Sequence, residues 1–261
     1  MDKKIQIFRV LFTICGSVGV YLFGYLLAIS LLSMIPGMRQ LHTMYLNAIA
    51  MIVAAGLTCF TIKKQEVGIR IEKKPALKMA GVFIMGYSAS VLFNFLLGMI
   101  PWNTMFEQAV TPSEAVFFGI PLWARMLCYE VVAPLAEEIL FRQVIYRRLR
   151  SISPVWLAVI VSALLFGLYH GNLVQGIYAF IMGCLLALMY EWTGSLAASV
   201  VFHMAANHVS DIAYEFESMS KVVYSPYGAV IAGIVFVIMM TISIKENKCS
   251  KKRCNLKKDV V

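Results

Sequence analysis

The sequence predicts an all-α protein, a polytopic membrane helix bundle of about eight transmembrane helices. Of its 261 residues, 60% are hydrophobic and 14% are charged, and the mean hydropathy is +0.77. Soluble domains contain about a quarter charged residues, so this chain is too apolar to be one. Eight apolar runs approach the roughly 20 residues that a helix needs to cross a bilayer core. The runs lie near residues 7–35, 43–62, 79–101, 122–141, 154–170, 173–190, 195–213 and 225–244.

The first run follows Lys3 and Lys4, as the apolar segment of a signal peptide would. It is longer than the roughly 7–15 residues of such a segment, and no clear small-residue cleavage site ends it. We therefore expect a retained span. The runs at 154–170 and 173–190 are short, so we expect shallow, tilted or partly re-entrant helices there.

The distribution of Lys and Arg predicts the orientation, because short basic loops stay on the cytoplasmic side of a membrane. With the N-terminus inside, all but three of the 23 basic residues fall in inner segments; the exceptions are Arg39, Arg125 and Lys221. We therefore expect a multi-pass protein of the cell membrane with both termini cytoplasmic. This topology and contact with anionic lipids explain the net charge of +9, so no nucleic-acid partner is expected.

Polar residues divide the chain into three parts. Residues 1–121 are expected to form scaffold helices, in which Asn94 is the most polar mid-span side chain and has a structural hydrogen bond as its expected role. Residues 122–213 carry the carboxylates and imidazoles at membrane depth and are expected to be the catalytic core. Residues 214–261 are expected to form a last transmembrane helix and a basic cytoplasmic tail.

Ionisable residues inside a membrane are costly and therefore indicate a functional site. Glu138 and Arg142 lie four residues apart, on one helical face, where they can form an ion pair. Glu137 points about 100° away around the helix and has no such local partner, which makes it the candidate general base.

Two later apolar runs add imidazole and amide groups. Phe166 and His170 form a Phe-x-x-x-His pattern, and His203 and Asn207 lie one turn apart on a common face. His208 and Asp211 are expected off that face or toward the outer end of the helix, and we assign them no role.

The ordered motifs Glu-Glu-x-x-x-Arg, Phe-x-x-x-His and His-x-x-x-Asn resemble those of the type II CAAX endopeptidase and bacteriocin-processing (CPBP, or Abi) family of membrane proteases. The resemblance covers roughly residues 122–213. It implies that Glu137 and His170 activate water and that His203 and Asn207 stabilise the oxyanion. Glu138 and Arg142 match supporting positions. The implied substrate is a membrane-associated or prenylated peptide or protein within the bilayer.

Two alternatives remain open. Glu137, His170 and His203 form a His₂Glu set, the ligand type of catalytic zinc sites, although the chain lacks His-Glu-x-x-His; we favour a metal-free, glutamate-type site without a cofactor. The other alternative is a non-catalytic membrane protein, either a bacteriocin self-immunity factor or a proton-coupled transporter, because proton relays also use buried Glu and His. Asn207 favours the hydrolase, since an amide does not titrate but is a good fixed donor.

Overall fold

The computed structural model describes residues 3–38, 41–61, 76–102 and 120–258. Within these ranges the protein is all-helical, which confirms the predicted fold class. In chain order, the nine helices of the described ranges are α1 (Lys3–Met34), α2 (Thr43–Thr61), α3 (Ala76–Gly98), α4 (122–150), α5 (Val155–Tyr169), α6 (Leu173–Thr193), α7 (Leu196–Glu215), α8 (Glu217–Val223) and α9 (Pro226–Lys258).

Five of these helices, α1, α2, α3, α6 and α9, are long and apolar enough to cross a membrane. The predicted count of eight spans is therefore not confirmed. The other three predicted spans correspond to α4, α5 and α7. Helix α5 has 15 residues, or about 22 Å, which is shorter than the roughly 30 Å hydrocarbon core. The run at 173–190 also predicted a short helix, and that prediction is wrong, because α6 has 21 residues and is one of the five. Helices α4 and α7 contain the carboxylates and imidazoles, which lower their hydropathy.

Helix α4 lies at the centre of the bundle, where it contacts α1, α2, α5, α6 and α7. Helices α1 and α2 pack as one pair and α5 and α6 as another, while α7 and α9 both pack on α3. The outer faces expose large apolar side chains, among them Phe8, Phe12, Phe60 and Tyr227. Extensive exposed apolar surface marks membrane contact, so the packing supports a membrane location.

Helix α4 is irregular around the Glu137–Glu138 pair. Met126–Val132 and Ile139–Tyr146 are π-helical, and the α-helical turn Ala133–Glu138 lies between them. Pro134 lies in the first turn of that segment and contributes no backbone N–H. Segments of π-helix are rare in proteins, and those that occur are often found at functional sites. The irregular backbone therefore indicates a functional role for this part of α4.

Some of the basic residues that predicted the orientation lie outside the described residues. Arg39 and the basic segment 62–75 lie there, as does the connection 103–119. The cytoplasmic placement of both termini and the three-part division of the chain stay predictions.

Helices α3 and α7 contact each other closely beside His203. A Cβ added to Gly86 of α3 would collide with the backbone carbonyl of Phe202, the residue before His203. We expect Gly86→Ala to force α3 and α7 apart, to cost about 1–3 kcal/mol of stability as overpacking does, and to lower the thermal unfolding midpoint in detergent. Gly56→Ala on α2 is the matched control, because its Cβ would enter open space. Equal midpoints for the two variants would contradict the close contact.

Candidate active site

Glu138 is the centre of a buried polar cluster. Its carboxylate is fully buried and accepts a hydrogen bond at 2.8 Å from Nε of Arg142, the residue one turn later. Two groups from α7 reach the same carboxylate: the Ser199 hydroxyl donates to Oε2, and Nδ1 of His203 lies 3.2 Å from Oε1. Arg142 thus neutralises the charge, while Ser199 and His203 attach α7 to α4.

His203 lies between the two carboxylates of the Glu-Glu pair. A carboxylate only accepts hydrogen bonds, so the contact with Glu138 requires the proton of the ring to be on Nδ1. Nε2 then faces Glu137, whose Oε2 is 3.8 Å away. Glu138 therefore orients the His203 imidazole against a second buried carboxylate, that of Glu137.

His170 follows the last residue of α5, and the packing of α5 places it on the same aromatic ring as His203. Its Nδ1 lies 2.8 Å from the carbonyl oxygen of Phe166, which fixes the proton on Nδ1 and leaves a lone pair on Nε2. The Phe166 ring meets the His170 ring edge-on at 4.9 Å and the His203 ring at 5.7 Å between centroids. Both imidazoles thus flank Phe166, each held in one orientation.

Asn207 binds the backbone of α4 at the first π segment. The N–H of Ala133 donates to the carbonyl of Cys128, five residues earlier. The next donor in this i→i+5 pattern would be Pro134, which has no N–H; the Asn207 amide donates instead to the carbonyl of Tyr129, at 2.9 Å. One N–H of the Asn207 side-chain amide therefore replaces the backbone donor that Pro134 lacks. The other N–H of that amide remains available to a substrate.

The polar contact between α4 and α7 extends further than the sequence predicted. Asp211 is buried and accepts a 2.8 Å hydrogen bond from Arg125, which also binds Glu215 at 2.7 Å. His208 lies 3.0 Å from the Glu130 carboxylate. Sequence reasoning assigned no role to His208 and Asp211, yet both join α7 to α4. The signal was present in a four-residue repeat of polar side chains along α7: Ser199, His203, Asn207, Asp211 and Glu215.

Across the described ranges, no group of three or more His, Cys, Asp or Glu side chains is arranged to hold a metal ion. Glu137 and His203 of the His₂Glu set lie 3.8 Å apart, and His170 packs against the same Phe166 ring as His203. The donor types of this set, two imidazoles and a carboxylate, are those of catalytic zinc sites.

Comparison with known proteins shows which family the part of the chain around this cluster is similar to. Residues 119–209 match the family model described as type II CAAX prenyl endopeptidase Rce1-like. A Staphylococcus aureus protein named membrane-embedded CAAX protease MroQ is 25% identical over 174 residues, which cover 63% of this chain and 68% of that protein. Residues 119–209 of the chain are thus similar to the Rce1-like CAAX protease family. The resemblance seen in the three motifs is thereby confirmed.

A second relative is UPF0177 protein YbdI of Lactococcus lactis, which is 29% identical over 132 residues, or 49% of this chain and 71% of that protein. No solved structure matches the chain. The residues matched to the Rce1-like family include all the candidate site residues: Glu137, Glu138, Arg142, His170, His203 and Asn207. The similarity to this family supports a membrane-embedded endopeptidase.

Proposed function

We propose that the chain is an intramembrane endopeptidase that hydrolyses a peptide bond of a membrane-associated or prenylated peptide or protein, using water activated by Glu137 and His170. The observation that carries the proposal is the contact of Glu137 with His203, which Glu138 orients, beside an imidazole whose Nε2 has a lone pair. The name of MroQ as a CAAX protease supports the prenylated class, and the family supports peptide hydrolysis in a membrane.

Hydrolysis requires a base for water and a proton for the leaving amine. In the proposed reaction Glu137 accepts one proton from the water. His170 Nε2 either orients the water by accepting a hydrogen bond from it or takes the same proton from Glu137. The water oxygen then bonds to the carbonyl carbon. When the C–N bond breaks, the same proton returns to the amine, so the site ends in its starting state.

The tetrahedral intermediate carries a negative oxygen that needs fixed donors. Asn207 supplies its second N–H. His203 uses Nδ1 to bind Glu138, so it acts as a donor only when Nε2 is also protonated. The oxyanion role of His203 thus requires the imidazolium form, which the Glu137 carboxylate faces.

Asn207→Ala is expected to reduce cleavage by about 10²–10³-fold, the usual cost of one missing oxyanion donor. It also removes the donor to the Tyr129 carbonyl, so some loss of thermal stability accompanies it. The matched control is Asn94→Ala on α3, whose amide donates to Ser90 at 3.1 Å. We expect that control to lower the unfolding midpoint and to leave the rate within about twofold. Equal rates for the two variants would assign Asn207 a purely structural role.

A metal-free site predicts that activity survives metal removal. Purified protein dialysed against a chelator is expected to cleave at its original rate, because Glu137 and the imidazoles act on water directly. Metal content by mass spectrometry and cleavage rate should be followed together. Activity that disappears with the chelator and returns with added zinc would favour the His₂Glu zinc mechanism instead.

The proposal as a whole is tested by a cleavage screen with full-length protein in proteoliposomes, using internally quenched peptides anchored by an apolar helix or by a prenyl group. Cutting at one position in either series supports the endopeptidase and distinguishes the two substrate classes. Proton uptake into the vesicles without any cutting would instead favour the transporter alternative, and binding of a peptide without cutting the immunity factor. The proposal includes a multi-pass protein in the cell membrane with both termini cytoplasmic.

A further inference from the structure

A basic cavity lies between the start of α1 and the turn that joins α4 to α5. Its volume is about 390 Å³, within the range of about 300–1,000 Å³ that is usual for small-ligand sites. The residues that line it are Lys3, Gln6, Ile7, Arg150, Ser151, Ile152, Ser153 and Pro154. Two of these residues are cations and none is a carboxylate, so the cavity is suited to a small anion.

The lining residues have hydrogen-bond donors that the fold does not use. Lys3 is exposed and forms no ion pair within the part of the chain that the structure describes. Arg150 donates from Nε to Glu191 at 3.2 Å and from Nη1 to the Ser153 carbonyl at 3.4 Å, which leaves the N–H groups of Nη2. The bonds that end α4 use the backbone N–H groups of Ser151 and Ile152 but not that of Ser153. An anion in the cavity can therefore bind donors from two separate segments.

The remaining polar groups of the turn limit what the ligand can be. The hydroxyls of Ser151 and Ser153 donate to backbone carbonyls of α4, each at 2.7 Å, so they do not donate to a ligand. Glu191 competes for Arg150, but the pair is partly exposed, and such pairs contribute little free energy. The site therefore selects its ligand mainly by negative charge.

The surroundings of the cavity indicate a lipid headgroup as the source of that charge. Beside Lys3, α1 exposes the large apolar side chains of Ile5, Phe8 and Phe12, and Trp156 is 63% exposed at the start of α5. Tryptophan is enriched at the boundary between membrane and water. A phosphate bound in the cavity would thus have its acyl chains beside apolar side chains of the same two helices.

We propose that this cavity binds the phosphate headgroup of an anionic phospholipid through Lys3, Arg150 and the backbone N–H of Ser153. Basic pockets between transmembrane helices are known sites for such headgroups. The inference does not depend on the proposed peptidase activity. A lipid in this place joins the start of α1 to the turn between α4 and α5, so its binding stabilises the folded protein.

The test uses full-length protein, purified in a neutral detergent, freed of lipid and titrated separately with phosphatidylglycerol and phosphatidylcholine. Native mass spectrometry counts the bound lipids, and the thermal unfolding midpoint gives the apparent affinity. We expect one phosphatidylglycerol to bind and to raise the midpoint, whereas phosphatidylcholine, whose headgroup has no net charge, has a much smaller effect.

The double variant Lys3→Gln/Arg150→Gln is expected to bind phosphatidylglycerol about 10- to 30-fold more weakly, because two cations near the headgroup are lost. Lys3→Gln alone, at an exposed position, should weaken binding about 3- to 10-fold, and it provides the test if the double variant does not fold. Wild-type affinity in these variants would overturn the inference.

Lys4→Gln/Arg148→Gln is the matched control. It removes the same two types of cation from the same two helices, at residues that do not line the cavity. We expect its affinity for phosphatidylglycerol to stay within about threefold of the wild type. Equal losses in the two double variants would mean general attraction between basic residues and lipid, with no specific site.

Glu191→Gln separates lipid binding by Arg150 from its structural ion pair. The variant keeps the arginine and removes the competing carboxylate, so it should bind phosphatidylglycerol at least as tightly as the wild type. Binding as weak as that of Lys3→Gln/Arg150→Gln would show that Arg150 acts only through Glu191, which would overturn its role as a lipid contact.

Inorganic phosphate distinguishes a lipid from a free ion. At the same concentration as the lipid it is expected neither to raise the unfolding midpoint nor to displace phosphatidylglycerol. If inorganic phosphate stabilises the wild type as strongly and competes with the lipid, the cavity is a site for a free anion and the lipid assignment is wrong.

Discussion

Glu137→Gln is expected to lower the rate of peptide cleavage by about 10²–10⁴-fold or more, the range that general-base catalysis supplies. The amide has the shape of the carboxylate but cannot accept a proton from water. The Glu137 side chain is buried beside His203, so bulk water has little access to the site and cannot readily act as the base in its place. Initial rates of the purified variant in proteoliposomes measure the effect.

Glu217→Gln provides the control for this change. Glu217 lies exposed on α8, where it pairs with Lys221, and the same substitution there should leave the rate unchanged. Both variants should unfold at the wild-type temperature within a few degrees. A Glu137→Gln protein that is folded and cleaves normally would exclude Glu137 as the base.

Arg142→Met is expected to have the largest effect on stability, a loss of about 3–5 kcal/mol, because it leaves the Glu138 carboxylate buried without its cation. The ion pair is completely buried on both sides, at 2.8 Å. Adding Glu138→Gln to Arg142→Met should recover much of the loss, since replacing both members of a buried pair costs far less than removing one. Unfolding in detergent, followed by tryptophan fluorescence, measures the three proteins together.

The comparison for Arg142 is Arg150→Met. Arg150 is 41% exposed and pairs with Glu191 at 3.2 Å, so its removal should cost no more than about 1 kcal/mol. Similar losses for the two arginine variants, or a double variant less stable than Arg142→Met alone, would contradict the view of Glu138 as a neutralised centre.

Apolar runs predicted the helical membrane fold because hydrophobicity along the chain reports burial in lipid directly. They predicted the number of spans less well. Helices α4 and α7 bury their polar faces against each other, and hydropathy does not record that a neighbour satisfies a Glu or an Asp. The shortness of α5 was visible in its run of apolar residues, and the structure gives it 15 residues.

Helical spacing predicted the contacts that lie on one helix. The i,i+4 relation gave the pairing of Glu138 with Arg142, which the structure shows at 2.8 Å, and the common face of His203 and Asn207. Helical spacing did not predict the contacts between different helices. Ser199 on Glu138 and Asp211 on Arg125 depend on the register of α7 against α4, which spacing along one segment does not contain.

One feature of the site depends on local backbone geometry. The bond from Asn207 to the Tyr129 carbonyl arises because a π segment meets Pro134, and the sequence showed the proline but not the π pattern. Packing thus gives Asn207 a role that its position in the sequence does not reveal.

The most direct test of the central claim is the product mass spectrum of one cleavable membrane peptide incubated with purified wild-type protein, Glu137→Gln and His170→Ala. The account predicts two wild-type products whose masses together equal the peptide plus one water, and no products from either variant although both unfold at the wild-type temperature. Equal cleavage by the wild type and the two folded variants would contradict it, and the water-activating roles of Glu137 and His170 would then be wrong.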